Sequence, residues 1–213
     1  LLNITINNNT AVNGGGMFLD NTNPTLTNVT ISGNTADWGG GMYIMSSDPT
    51  LTHVTISGNT AGDDGGGMFI YDDSNPILNN VTISNNTADG SGGGMYLYSS
   101  NPIFTDVTIN NNGCSEIGCC GGGMKLTNSN PTLVDVIISN NGGYEGGGMY
   151  LNSSSPSLEN ITIFSNIAEA DGGGMYLVYS NPILINVTIL ENISYICIYI
   201  YFLAINIFYL IFI

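Results

Sequence analysis

Basic residues are almost missing. The chain has one lysine, Lys125, no arginine and one histidine, His53, against 16 acidic residues, so its net charge of −15 is a shortage of bases. Without a basic patch the phosphates of a nucleic acid cannot be neutralised, and no nucleic-acid partner is expected. An anionic membrane surface is disfavoured for the same reason, which leaves only the C-terminal tail for membrane contact. A helical period is missing too. Apolar residues alternate in pairs instead, Met17 with Leu19 and Val29 with Ile31, and period two means strands with one face in and one face out. No initiator methionine and no basic-then-apolar leader is visible, and Leu1 falls in mid-repeat, so the chain reads as a fragment, and its missing start is where a targeting signal would be sought.

What is present is a repeat. Gly-Gly-Gly-Met, first at Gly14 to Met17, returns with its methionine at Met42, Met68, Met95, Met124, Met149 and Met175, at spacings of 25, 26, 27, 29, 25 and 26 residues. Units this short cannot bury a core alone and must stack on their neighbours. All 7 prolines occupy one position of the unit, Pro24 through Pro182, and an aliphatic residue follows each by 7, as in Pro24 to Ile31 and Pro102 to Ile109. Three short strands per unit, each bounded by Gly, Asn-Pro or Ser-Asn, describe one coil of an all-β solenoid. The expected fold is a right-handed parallel β-helix of about seven coils over residues 1–192, the handedness following the crossover rule.

Stacking turns each column of the repeat into a row, about 4.8 Å from coil to coil. The inward rows are Met17 through Met175, Leu19 through Leu177, Leu26 through Leu184, Val29 through Val187 and Ile6 through Ile189; an outward row runs from Thr5 through Thr188. Asn follows the inward Ile by three positions every time, at Asn9, Asn34, Asn59, Asn86, Asn112, Asn141, Asn166 and Asn192. Stacked amides can bond to one another and satisfy turn backbone. The Gly triplets mark a corner that needs positive φ or close backbone approach. Between the Asn and the next triplet lies a variable segment, such as Thr35–Trp38 or Gly113–Cys120, read as a surface loop.

Gly-Gly-x-aliphatic paired with Ile-x-x-Asn resembles the repeat of the polymorphic outer-membrane proteins of chlamydial type, within the wider pectin-lyase-like class of right-handed β-helices. Gly for Ala, Met for Ile or Leu, and Ile for Phe are the departures. The resemblance implies an exported, autotransporter-like adhesin or passenger region at the cell surface or outer membrane, or a secreted one, contacting glycan or host-surface protein.

Three groups of residues are candidates for chemistry. Phe18, Tyr43, Phe69, Tyr96, Tyr150 and Tyr176 follow the methionines in an aromatic row broken by Lys125, and stacked aromatics bind sugar rings or proteins, or serve cross-strand stacking alone. Acidic residues gather in the variable segment, among them Asp63, Asp64 and Asp89, where carboxylates of successive coils could hold Ca²⁺; no other cofactor is indicated. Asp63-Asp64, Asp72-Asp73 and His53 are the nearest approach to an acid–base set for a carbohydrate-active enzyme, a glycoside hydrolase or polysaccharide lyase, but no catalytic motif surrounds them and a non-enzymatic role is expected. Cys114, Cys119 and Cys120 share the longest loop, where a bond from Cys114 to Cys119 or Cys120 would pin it in an oxidising compartment and leave one thiol spare.

The tail, 193–213, follows none of these patterns. It has no Gly and no charge, and 15 of its 21 residues are Ile, Tyr or Phe. Its length suffices for a membrane anchor, though flanking basic residues are missing; a stretch outside the native reading frame is the rival expectation.

Overall fold

The computed structural model describes residues 1–195. Every strand pairing within them is parallel, and three sheets run the length of a solenoid. Sheet C holds the strands that begin at each methionine, Met17–Asp20, Met42–Met45, Met68–Tyr71, Met95–Tyr98, Met124–Thr127, Met149–Asn152 and Met175–Val178. Sheet A holds the proline-proximal and Val-Thr-Ile segments, which fuse in the middle coils into eight-residue strands, Thr50–Ser57, Ile77–Ser84, Ile103–Asn110 and Thr132–Ser139. One left-handed residue lies inside each of them: His53 at φ 52°, Asn80 at 52°, Asp106 at 53° and Asp135 at 55°. Asn and Asp tolerate that conformation best because their short polar side chains bond locally, which explains the composition of the column.

Sheet B corrects the reading of the variable segment as loop throughout. Its first two residues form a strand in every coil from the second variable segment on, Thr35–Ala36, Thr60–Ala61, Thr87–Ala88, Gly113–Cys114, Gly142–Gly143 and Ile167–Ala168, while Thr10 makes a lone bridge to Thr35. Two residues carry no alternation, so the pattern is too short to see, yet pairing on both sides supplies the ladder bonds that keep the backbone satisfied. Ile193–Ser194 pairs with Ile167–Ala168, so the solenoid runs two residues past the expected boundary at residue 192. Residues 196–213, and with them the anchor and reading-frame alternatives, lie outside the described residues. Among the described residues no helix is long and apolar enough to cross a membrane.

The inward rows are those expected. Met42, Ile44, Leu51 and Ile56 are fully buried, as are Met68, Ile70, Leu78 and Ile83 one coil later. Phe104 fills the Leu column of the fourth coil and is fully buried too. Each large aliphatic side chain so removed from water contributes about 1.5–3 kcal/mol, which no single coil could collect without a neighbour. In the last described coil, where that cover ends, Leu184 and Ile189 in the same columns are each 48% exposed.

Two buried polar ladders lock the coils in register. Asn59 donates its backbone N–H and its Nδ2 to Asn86 Oδ1 at 3.0 and 2.9 Å, and Nδ2 also donates to the Ile31 carbonyl at 3.1 Å. The pattern repeats from Asn34 to Asn166. A second ladder uses serine: Ser100 N–H donates to Ser129 Oγ at 3.1 Å, and Ser129 N–H to Ser154 Oγ at 3.0 Å. At the glycine corner both expected reasons apply. Gly14 has φ +59°, while a Cβ on Gly16 would stand 2.7 Å from the Gly41 carbonyl and 2.9 Å from Asn34 Nδ2 of the next coil.

Candidate functional site

Sheet C turns its second and fourth strand positions outward, and register without slip makes each a row along the rod. Phe18 pairs with Tyr43, Tyr43 with Phe69, and Phe69 with Tyr96; Lys125 then sits between Tyr96 and Tyr150. Ring centroids along this row are 5.2, 5.1 and 5.2 Å apart from Phe18 to Tyr96. Tyr150 and Tyr176 resume the stack at 5.4 Å. Lys125 fills the gap electrostatically: its Nζ lies 4.8 Å from the centroid of Tyr96 and 5.9 Å from that of Tyr150. A cation over an aromatic face is attracted to the ring quadrupole, so the break in the aromatic row is not a break in contact.

The fourth position holds a row that sequence reasoning missed. Tyr71 and Tyr98 lie 5.6 Å apart, and each touches the first row, Tyr71 at Phe69 (6.0 Å) and Tyr98 at Tyr96 (6.4 Å). Its only signal in the sequence was a tyrosine three residues after Met68 and again after Met95, since the same position holds Asp20, Met45, Thr127, Asn152 and Val178 in the other coils. Together they make a two-row patch. Its centre is sunk, with Phe69 and Tyr96 only 9% and 8% exposed, while Phe18 is 45% and Tyr98 36% exposed.

A mostly polar column runs beside the patch, formed by the residue before each Gly triplet: Asn13, Trp38, Asp64, Ser91, Cys120, Glu145 and Asp171. Lys125 Nζ donates to Ser91 Oγ at 3.0 Å, and Cys120 N–H donates to the same oxygen at 3.1 Å. Burial pushes the Asp64 carboxyl above the usual range; the Ser91 N–H and Lys125 pull it back, and Asp63 adds to the rise. Burial likewise raises the Cys120 thiol, opposed by Lys125 and reinforced by Glu145. Tyr150 is pushed up to about 12, by burial first and then by Cys120, Glu145 and Tyr176. Burial also raises Tyr96, and it raises Tyr43 with help from Tyr71 and Asp72. For Tyr176 the leading cause is instead the Glu145 charge. The column therefore disfavours negative charge beside the rings, which stay neutral phenols.

The acidic residues do not converge. Asp64 Oδ1 accepts the Ser91 N–H at 2.7 Å, and Asp89 Oδ1 accepts Ser115 Oγ–H at 2.9 Å, so each carboxylate reaches toward the next coil and caps its loop. Asp63, Asp64 and Asp89 are not brought into one cluster: among the described residues no three His, Cys, Asp or Glu side chains gather as a metal-binding group. Asp63-Asp64 and Asp72-Asp73 leave opposite ends of the strand Met68–Tyr71, four residues of about 3.3 Å each apart from the corners. Asp72 and Asp73 are left-handed turn residues, and His53 is the bend residue of sheet A, on another face.

Cys114 and Cys119 form a disulfide, Cα to Cα 5.9 Å, which resolves the pairing and leaves Cys120 as the buried free thiol of that loop. Beside the disulfide, where Gly113 and Gly142 replace the outward Thr of sheet B, a cavity of about 260 Å³ opens between Tyr144, Ile167 and the exposed Glu116 and Glu169.

Fold and faces together define a parallel β-solenoid whose side-chain columns become surface rows. The chain belongs to the family described as right-handed beta helix region, which matches residues 2–112 and again 103–210, the second match running into the hydrophobic tail. No curated protein and no solved structure matches it.

Proposed function

We propose that this solenoid is a non-catalytic binding repeat, exported or displayed at a cell surface, that holds a glycan or a protein through the aromatic face of sheet C. The observation that carries the reading is the two-row patch of Tyr43, Phe69, Tyr71, Tyr96 and Tyr98, set at one ring per coil in each row on a rigid scaffold. Rings fixed by stacking lose little entropy when a partner covers them, and their phenols, kept neutral, add hydrogen bonds. Tyr98 and Phe18 stand proudest and meet a partner first.

Glycan-array screening followed by calorimetry tests the proposal. Tyr98→Ala with Tyr71→Ala should weaken capture at least tenfold and leave the coil intact, whereas Thr162→Ser on sheet A should not. Release of reducing or unsaturated sugar that disappears in Asp63→Asn with Asp64→Asn would make the protein an enzyme and overturn the reading.

A further inference from the structure

Sheet A carries a second ordered array, made of hydroxyls with an amide, Asn7 or Asn110, at each end of one row. In the Val-Thr-Ile segment the aliphatic residue points in, and the residues on either side point out. Pairing in strict register lines up Thr5, Thr30, Thr55, Thr82 and Thr108 in one row, and Asn7, Ser32, Ser57, Ser84 and Asn110 in the next. The array repeats about every 4.8 Å along the rod and about every 6.8 Å across it, two residues of strand.

Its polar groups differ from those of the two buried ladders. The Ser47, Ser74, Ser100, Ser129 and Ser154 column directs its hydroxyls at the backbone, and the Asn34 to Asn166 column uses its amides coil to coil. Among the described residues no such bond holds the hydroxyls of Thr30, Thr55, Thr82 and Thr108 or of Ser32, Ser57 and Ser84, which are half-buried on the sheet face. None of the ten array positions is charged, although the chain has 16 acidic residues. Threonine is stiff at χ1 and each one is flanked by its copies, so the hydroxyls and methyls are held in place before anything binds. The array fades in the later coils, where Ile137, Phe164 and Leu190 enter the rows.

We propose that this face binds the surface of ice. Water oxygens on a prism face of ice repeat at nearly the two distances of the array. A charge-free lattice of fixed hydroxyls can hydrogen-bond water in that pattern, while the threonine methyls order the water between them. The site lies on sheet A and does not depend on the aromatic face of sheet C.

Measurement of thermal hysteresis and of ice recrystallisation in solutions of the chain tests the proposal. The wild type should shape growing crystals and hold a gap between melting and freezing. Thr82→Tyr should reduce that gap several-fold, and Thr55→Lys should do the same through a charge. Both variants are checked by circular dichroism, and Tyr98→Ala should leave the gap unchanged. Fluorescently labelled wild type should coat single ice crystals. A wild type without effect on ice, a gap unchanged in either folded variant, or a Thr82→Tyr protein that loses glycan capture in place of ice activity would overturn the assignment.

Discussion

Two columns of this solenoid are rich in asparagine and recur once per coil, yet they obey different physics. The inner column, Asn34 through Asn166, is at most 2% exposed, and its members join the coils by three bonds apiece. The bend column of sheet A is exposed and left-handed, and a single surface bond such as Asn80 Nδ2 to Asp106 Oδ2, 2.8 Å, suffices there. The inner column is Asn in every coil, whereas the bend column accepts Asn28, His53, Asn80, Asp106, Asp135, Asn160 and Asn186. Invariance within the repeat follows the number of buried groups that depend on a side chain. Exposure alone relaxes a column, even where the backbone is unusual.

The largest expected effect attacks the inner column. Asn86→Ala would take the partner from the N–H of Asn59, from one of the two Nδ2 hydrogens of Asn59 and from the side-chain bond to the Ile56 carbonyl, all in a dry interior. At about 1–3 kcal/mol for each of these three groups, the loss is about 3–9 kcal/mol, read as a fall in the denaturant midpoint. Ile109→Ala, a fully buried core truncation, follows at about 2–5 kcal/mol, while its outward neighbour Thr108→Ser should move stability by only about a few tenths of a kcal/mol. Equal costs at 108 and 109 would show that the strand faces the other way. The bend column comes next. Asn80→Val should cost about 1–2 kcal/mol, because a β-branched residue resists the left-handed region, and Asn80→Gly should be nearly neutral. If Asn80→Gly proved as costly as Asn86→Ala, exposure would not be what separates the columns.

Much of this was legible in the sequence, and the misses share a cause. The core rows and the Asn column announced themselves because burial keeps the first apolar and the second Asn in every coil. The Ser ladder, by contrast, sat in what read as a polar turn, since serine is as common on the surface as in a satisfied interior. The strands of sheet B were taken for loop because a Thr-Ala pair has no period. The bend column gave no sign of its backbone, since a left-handed φ leaves only a bias toward Asn and Asp. At the candidate site the row from Phe18 to Tyr176 was readable from spacing, but its sinking at Phe69 and Tyr96 was not. That depends on which neighbouring column leans over it, as does the placing of Lys125 between two rings.

The smallest expected effect concerns that leaning column, intermediate between the other two. Asp64 is half-buried beside Ser91 and Lys125, and burial is the leading cause that raises its carboxyl. A raised folded-state value means that the folded chain holds the proton more tightly than the unfolded one. The contribution of Asp64 to stability is therefore complete below the unfolded value of about 3.9 and is lost as pH rises through the folded value. Asp64→Asn copies the protonated state and keeps an oxygen for the Ser91 N–H. It should match the wild type near pH 3, where both are neutral, and be the more stable of the two at pH 7. Thermal melts at the two pH values decide the matter. A variant less stable than the wild type at pH 7 would mean that attraction to Lys125 outweighs burial, and that this column belongs with the exposed one.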